Sequence, residues 1–106
     1  MKTVLLALML AFTPPAFAQA DASKAESMPA VKMYATSWCP YCAKARAYFS
    51  KRGIAYTEID VEKSAEGRAE FRKLGGRGVP LIVVGTERMS GYSEARLAQL
   101  LSEAGY

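Results

Sequence analysis

The chain has 106 residues, 51% of them hydrophobic, with 14 Lys and Arg against 10 Asp and Glu, two Cys and no His. That length holds one small domain, and the apolar content excludes a wholly disordered chain. A net charge of +4, scattered over Lys44, Arg46, Lys51, Arg52, Arg68, Arg72, Lys73, Arg77, Arg88 and Arg96 with no aromatic interleaving, gives most of these residues a solvated face and excludes a nucleic-acid partner; the lack of His removes imidazole catalysis and the commonest metal ligand.

The first segment reads as an export signal. Met1 and Lys2 precede the apolar run from Val4 to Phe12, Pro14 and Pro15 break any helix, and Ala16-Phe17-Ala18 supplies the small-x-small pattern for cleavage after Ala18. The run is too short to span a bilayer and no stop-transfer pattern follows it, so residues 1–18 are expected to leave a periplasmic, membrane-free product. Residues 19–29 are small, polar and aperiodic, a flexible leader; residues 30–106 form the domain. At under about 80 residues such a core is marginal, and its two cysteines allow a single staple.

Val31 to Ala35 suits a mostly buried strand. A helix is expected from Pro40 to Lys51, with Cys42, Ala45, Tyr48 and Phe49 on one stripe and Gly53 as its cap. Ile54 to Val61 alternates like a second strand, ended by Asp60. Ser64 opens a second helix that reaches Leu74, with Gly75-Gly76 as the stop. Leu81–Val84, the turn Gly85-Thr86 and Glu87–Met89 make a hairpin, and Ser93 caps a final helix facing inward through Leu97, Leu100 and Leu101. The order β-α-β-α-β-β-α predicts an α/β fold, a mixed four-stranded sheet flanked by three helices, its first two strands parallel and its last two antiparallel.

Cys39-Pro40-Tyr41-Cys42 carries the chemistry. A thiolate attacks a disulfide, so a redox cysteine needs a lowered pKa and an accessible sulfur. Cys39 opens a helix, where free amide N–H groups and the positive dipole end favour negative charge, and Pro40 suits the first helical position. Cys42, one turn on, is within disulfide reach and better protected. Cys39 is thus the expected nucleophile and Cys42 the resolving thiol. CxxC alone leaves alternatives open: an inert staple, or a thiol-based copper or iron-sulfur carrier without redox turnover, shared between two chains. A closed zinc site would need two further ligands that the chain lacks.

Tyr34-Ala35-Thr36-Ser37-Trp38-Cys39-Pro40-Tyr41-Cys42, with Gly78-Val79-Pro80 and Ser90-Gly91-Tyr92, resembles the glutaredoxin family, over about Val31 to Leu101. The resemblance implies a thioredoxin-like fold, thiol-disulfide oxidoreductase activity, and a cis Val79–Pro80 bond with Pro80 packed on the active-site pair. Pro makes a cis bond accessible, and the backbone groups of Val79 are expected to face outward toward a substrate strand. Pro40, Tyr41 and Pro80 are the expected supports of the site; Trp38, Arg77, Val79, Gly91, Tyr92 and Ser93 are the expected substrate contacts, with Trp38, Tyr41 and Tyr92 as an apolar apron around Cys39. The substrates implied are protein disulfides or glutathione-mixed disulfides, with glutathione a co-substrate, no bound cofactor, and a monomer. Three departures weaken the glutathione role: Thr36 stands where many members have Lys, Gly78 where Thr is common, and Ser93-Glu94 where an Asp pair is common. Trp38 resembles thioredoxin instead, and Ser90-Gly91-Tyr92 the glutaredoxin-like electron donors of ribonucleotide reductase. Ser93 with the adjoining helix amides, and Arg77, are the groups left to hold a carboxylate.

Overall fold

The structure, a computed structural model, describes Ala11 and residues 28–106. Apart from Ala11, Met28 and Pro29, the expected signal peptide at 1–18 and leader at 19–29 lie outside the described residues.

Strand β1 (Val31–Ala35) is an inner strand, paired on both edges: Val31, Met33, Tyr34 and Ala35 are all buried, because both faces of the sheet are covered. Helix α1 (Pro40–Arg52) follows, with Cys39 as N-cap and Pro40 in the first turn, and buries Cys42, Ala45, Tyr48 and Phe49. It stops at Gly53, whose φ of 63° lets its N–H turn back to the carbonyls of Phe49 and Ser50, while Lys51 and Arg52 face the negative end of the dipole.

Strand β2 (Thr57–Asp60) lies parallel to β1, Tyr34 opposite Ile59 and Ala35 opposite Asp60. It is shorter than the stretch from Ile54 expected from the apolar alternation. The amide of Ile54 is spent on the carbonyl of Phe49, closing the helix end. Ile54 and Tyr56 still pack on the core, Tyr56 stacked on Phe49 with ring centroids 4.4 Å apart, so they satisfy the pattern without ladder bonds.

Helix α2 (Ala65–Lys73) is capped by Ser64, whose Oγ accepts the N–H of Gly67 at 2.9 Å. Strand β3 (Leu81–Val84) runs antiparallel to β1, and β4 (Glu87–Ser90) antiparallel to β3, giving the order β2-β1-β3-β4. Gly85, φ 61°, takes the first position of the two-residue turn between them. Helix α3 (Glu94–Glu103), capped by Ser93, buries Leu97, Leu100 and Leu101.

The expected element order and mixed sheet are therefore observed, in the thioredoxin-like arrangement. One sheet face packs α1 and α3 in a core holding Met33, Phe49, Ile82, Leu97 and Leu101; the other packs a smaller cluster of Tyr34, Val61 and Leu81 against Phe71 and Leu74. Burying each large side chain of this kind contributes about 1.5–3 kcal/mol. Register then places the site. Tyr34 pairs with Leu81, so the residues leaving β1 meet those entering β3; on the other side the amide of Val61 donates to the carbonyl of Ala35 at 3.0 Å. Cys39 thus lies between the segment before β3 and the loop after β2.

Candidate active site

Cys39 and Cys42 are joined in a disulfide, their Cα atoms 5.2 Å apart. The helix start makes this possible: residue 39 has extended backbone and residue 42 is helical, so one turn brings the two side chains together. The Cys39 sulfur also accepts the N–H of Cys42 at 3.1 Å, and its carbonyl accepts that of Ala43 at 3.1 Å. No acidic residue sits in the first turn. An amide pointed at the sulfur, the positive dipole end and the absence of a nearby helical carboxylate all favour a thiolate at Cys39 once the bond is reduced.

Cys42 is fully buried, on the inward-facing stripe of α1 with Ala45, Tyr48 and Phe49. Cys39 differs from expectation: only 4% of it is exposed. The disulfide ties its sulfur to Cys42, and the carbonyl oxygen of Val79 lies 3.6 Å from it. The Val79 carbonyl is thus directed at the Cys39 sulfur. The Val79–Pro80 bond is cis, and Pro80 is buried.

Access runs along a groove of about 410 Å³ lined by Thr36, Trp38, Cys39, Pro40 and Tyr41 on one side and by Val61, Glu62, Phe71, Arg77, Gly78 and Val79 on the other. Trp38 and Tyr41 are 66% and 56% exposed, large apolar surfaces left in solvent beside a reactive pair. Gly91, Tyr92 and Ser93 do not join this groove. They line a neighbouring hollow with Arg88 and Arg96, which meets the first only at Tyr41. Tyr92 packs partly into the core, and burial pushes its phenol up from the ordinary tyrosine range. The Ser93 hydroxyl is engaged as a cap, accepting the N–H of Arg96 at 3.4 Å.

Two residues of this region, Arg46 and Glu62, carry no motif, and Thr36 lies inside one. Arg46, grouped with the solvated basic residues by sequence, instead donates from Nε to Glu58 at 2.7 Å and from Nη2 to the Thr36 carbonyl at 3.0 Å, tying the loop that carries Cys39 to β2. Donating to the Glu58 carboxylate raises the Arg46 pKa above its ordinary value. Glu62 accepts the indole N–H of Trp38 at 2.8 Å. Thr36 is buried with its hydroxyl lacking a partner. The only sequence signal for Glu62 is its place two residues past Asp60, in a turn that Asp60 caps. Among the described residues no group of three or more His, Cys, Asp and Glu is positioned to hold a metal ion, and no helix is long and apolar enough to cross a membrane.

Residues 31–89 match the family model "Glutaredoxin". The chain is 40% identical over 65 residues to a glutaredoxin of Pseudomonas aeruginosa, covering 60% of this chain and 77% of that one. It is 38% identical over 80 residues to a glutaredoxin of Neisseria meningitidis, covering 74% and 92%. Among solved structures it is similar to the glutaredoxin of Archaeoglobus fulgidus, with a TM-score of 0.61 at 28% identity over 72% of this chain and 89% of that one.

Proposed function

The chain belongs to the glutaredoxin family of thiol-disulfide oxidoreductases, and from that premise we propose that it exchanges its Cys39–Cys42 pair with protein disulfides first and glutathione-mixed disulfides second, as a monomer in the periplasm. The observation that carries the roles is the helix N-cap geometry, with the Cys39 sulfur accepting the Cys42 amide at 3.1 Å and lining the groove while Cys42 is fully enclosed.

In the reducing direction the Cys39 thiolate attacks one sulfur of the substrate disulfide. A mixed disulfide forms, and the other substrate sulfur leaves as a thiolate that takes a proton from solvent. The Cys42 thiol then loses its proton and attacks the Cys39 sulfur, releasing the second substrate thiolate. Two electrons have passed to the substrate, and the pair is left as the disulfide seen here. The oxidising direction is the same path reversed. A reduction potential near about −120 mV marks an oxidant and one near about −270 mV a reductant.

Thr36 in place of a lysine, Trp38 ahead of the nucleophile, and the exposed Trp38 and Tyr41 rings support protein substrates over glutathione. Pro40 pre-forms the helix start, Pro80 closes the buried side, and Arg77 and Val79 border the substrate; Gly91, Tyr92 and Ser93 form a second contact area across Tyr41. No cofactor enters the cycle. The test is turnover of a protein disulfide by the reduced domain, expected to disappear in Cys39→Ser; equal turnover in that variant overturns the assignment. For location, the full chain expressed in a bacterium should be recovered by osmotic shock, cleaved after Ala18; uncut chain in the cytosol contradicts it.

A further inference from the structure

Glu62 is an exposed carboxylate that the fold fixes in place. The Asp60 side chain accepts the N–H groups of Glu62 and Lys63 at 2.9 and 3.0 Å, and Arg68 donates to the carbonyls of Val61 and Glu62 at 3.0 and 2.8 Å. Those backbone hydrogen bonds shape one short turn after β2. From it the Glu62 carboxylate reaches the indole N–H of Trp38 at 2.8 Å, and both side chains line the groove that holds Cys39.

The bond does not bury Trp38, which stays 66% exposed. It orients an open indole face beside the reactive pair. A carboxylate has about four acceptor sites, and one N–H uses one of them, so most of its capacity is left for a substrate. An aromatic face and a carboxylate side by side attract the same thing, a cation. The other exposed ring, Tyr41, already carries Lys44 Nζ at 5.0 Å from its centroid; Trp38 carries no cation among the described residues. Arg77 is the opposing charge in the groove.

We propose that Glu62 and Trp38 are the specificity-determining pair of this groove, selecting disulfides flanked by Lys or Arg and disfavouring acidic ones, glutathione included. The proposal rests on the disulfide-exchange reading above. Glu62 acts on the choice of substrate through its charge, and through Trp38 by position.

The test uses two disulfide peptides identical except for Lys or Glu beside one cysteine, with kcat/KM measured for each. The unsubstituted protein should prefer the Lys peptide. Glu62→Gln keeps an acceptor for the indole N–H and removes the charge, and should cut the preference about three- to fivefold. Trp38→Phe should cut it about twofold. Arg77→Gln should raise it, and added salt should shrink it in the unsubstituted protein but much less in Glu62→Gln. The far-UV circular dichroism spectrum and the melting temperature report whether Glu62→Gln keeps the fold. Equal preference in Glu62→Gln and the unsubstituted protein, with both turning over, overturns the selectivity alone. Turnover of neither peptide by the unsubstituted protein overturns the exchange reading and the selectivity with it.

Discussion

Arg46→Met removes a strut that ties the loop bearing Cys39 to the sheet. The arginine makes a 2.7 Å ion pair with Glu58 and a 3.0 Å hydrogen bond to the Thr36 carbonyl. The two charged side chains are 29% and 35% exposed, so solvent screens the pair, which then contributes about 0.5–1 kcal/mol. The charged hydrogen bond to the carbonyl adds about 1 kcal/mol at this partly open position. Met keeps most of the aliphatic packing, and Glu58 is open enough to rehydrate, so no large buried-charge penalty follows. The loss is about 1.5–2 kcal/mol, which in a domain of this size lowers Tm by about 6–15 °C. Circular dichroism melts of the oxidised protein measure it. A double-mutant cycle with Glu58→Gln should return a coupling of about 0.5–1 kcal/mol. A Tm for Arg46→Met within about 2 °C of the unsubstituted protein would refute the strut.

Gly67→Ala should destabilise by about 1–3 kcal/mol even though Ala is the better helix former, because the added methyl runs into the Ile59 side chain and crowds the Ser64 cap; a urea midpoint at or above that of the unsubstituted protein contradicts this. Stability should fall in acid. The Tyr34 hydroxyl, donating at 2.6 Å with Lys32 nearby, holds the Glu70 carboxyl below its usual range, and the Lys63 and Glu62 amides do the same for Asp60. A lowered carboxyl contributes stability present above its unfolded pKa, near about 4, and lost as pH drops through the folded value. Urea titrations should therefore show the gap between the unsubstituted protein and Glu70→Gln closing below about pH 4; parallel curves from pH 6 to 3 would be the wrong result. Tyr34 works in the other direction: burial first and the bond to Glu70 second raise its pKa, so its contribution holds below about pH 10 and is lost in stronger alkali, a limb that Tyr34→Phe should flatten.

The elements that repeat a local rule were legible from sequence. Ser64 and Ser93 announce helix starts because a hydroxyl at that position has an amide to accept, and Pro40 after Cys39 announces another. The reactive pair was legible for the same reason, as a helix start that carries sulfur. What escaped depends on register between distant segments. Ile54 and Tyr56 bury apolar surface like strand residues, yet the chain there is closing a helix, and alternation reports burial, not ladder bonds. Arg46 and Glu62 look like ordinary surface charges until β2 is laid beside β1, which brings Glu58 to the first and Trp38 to the second. The near-complete burial of Cys39 follows from Val79, about forty residues on, which no local pattern can place.

The assignment of Cys39 as attacking sulfur and Cys42 as resolving sulfur is tested most directly by trapping. Cys42→Ser protein, reduced and then mixed with a disulfide substrate, should accumulate a mixed disulfide on Cys39, read as one substrate adduct by mass spectrometry and located by digestion. Cys39→Ser, with the buried Cys42 alone, should accumulate almost none. An adduct that forms equally well on Cys42, or Cys42→Ser protein that gathers none while the unsubstituted protein turns over, would contradict the account.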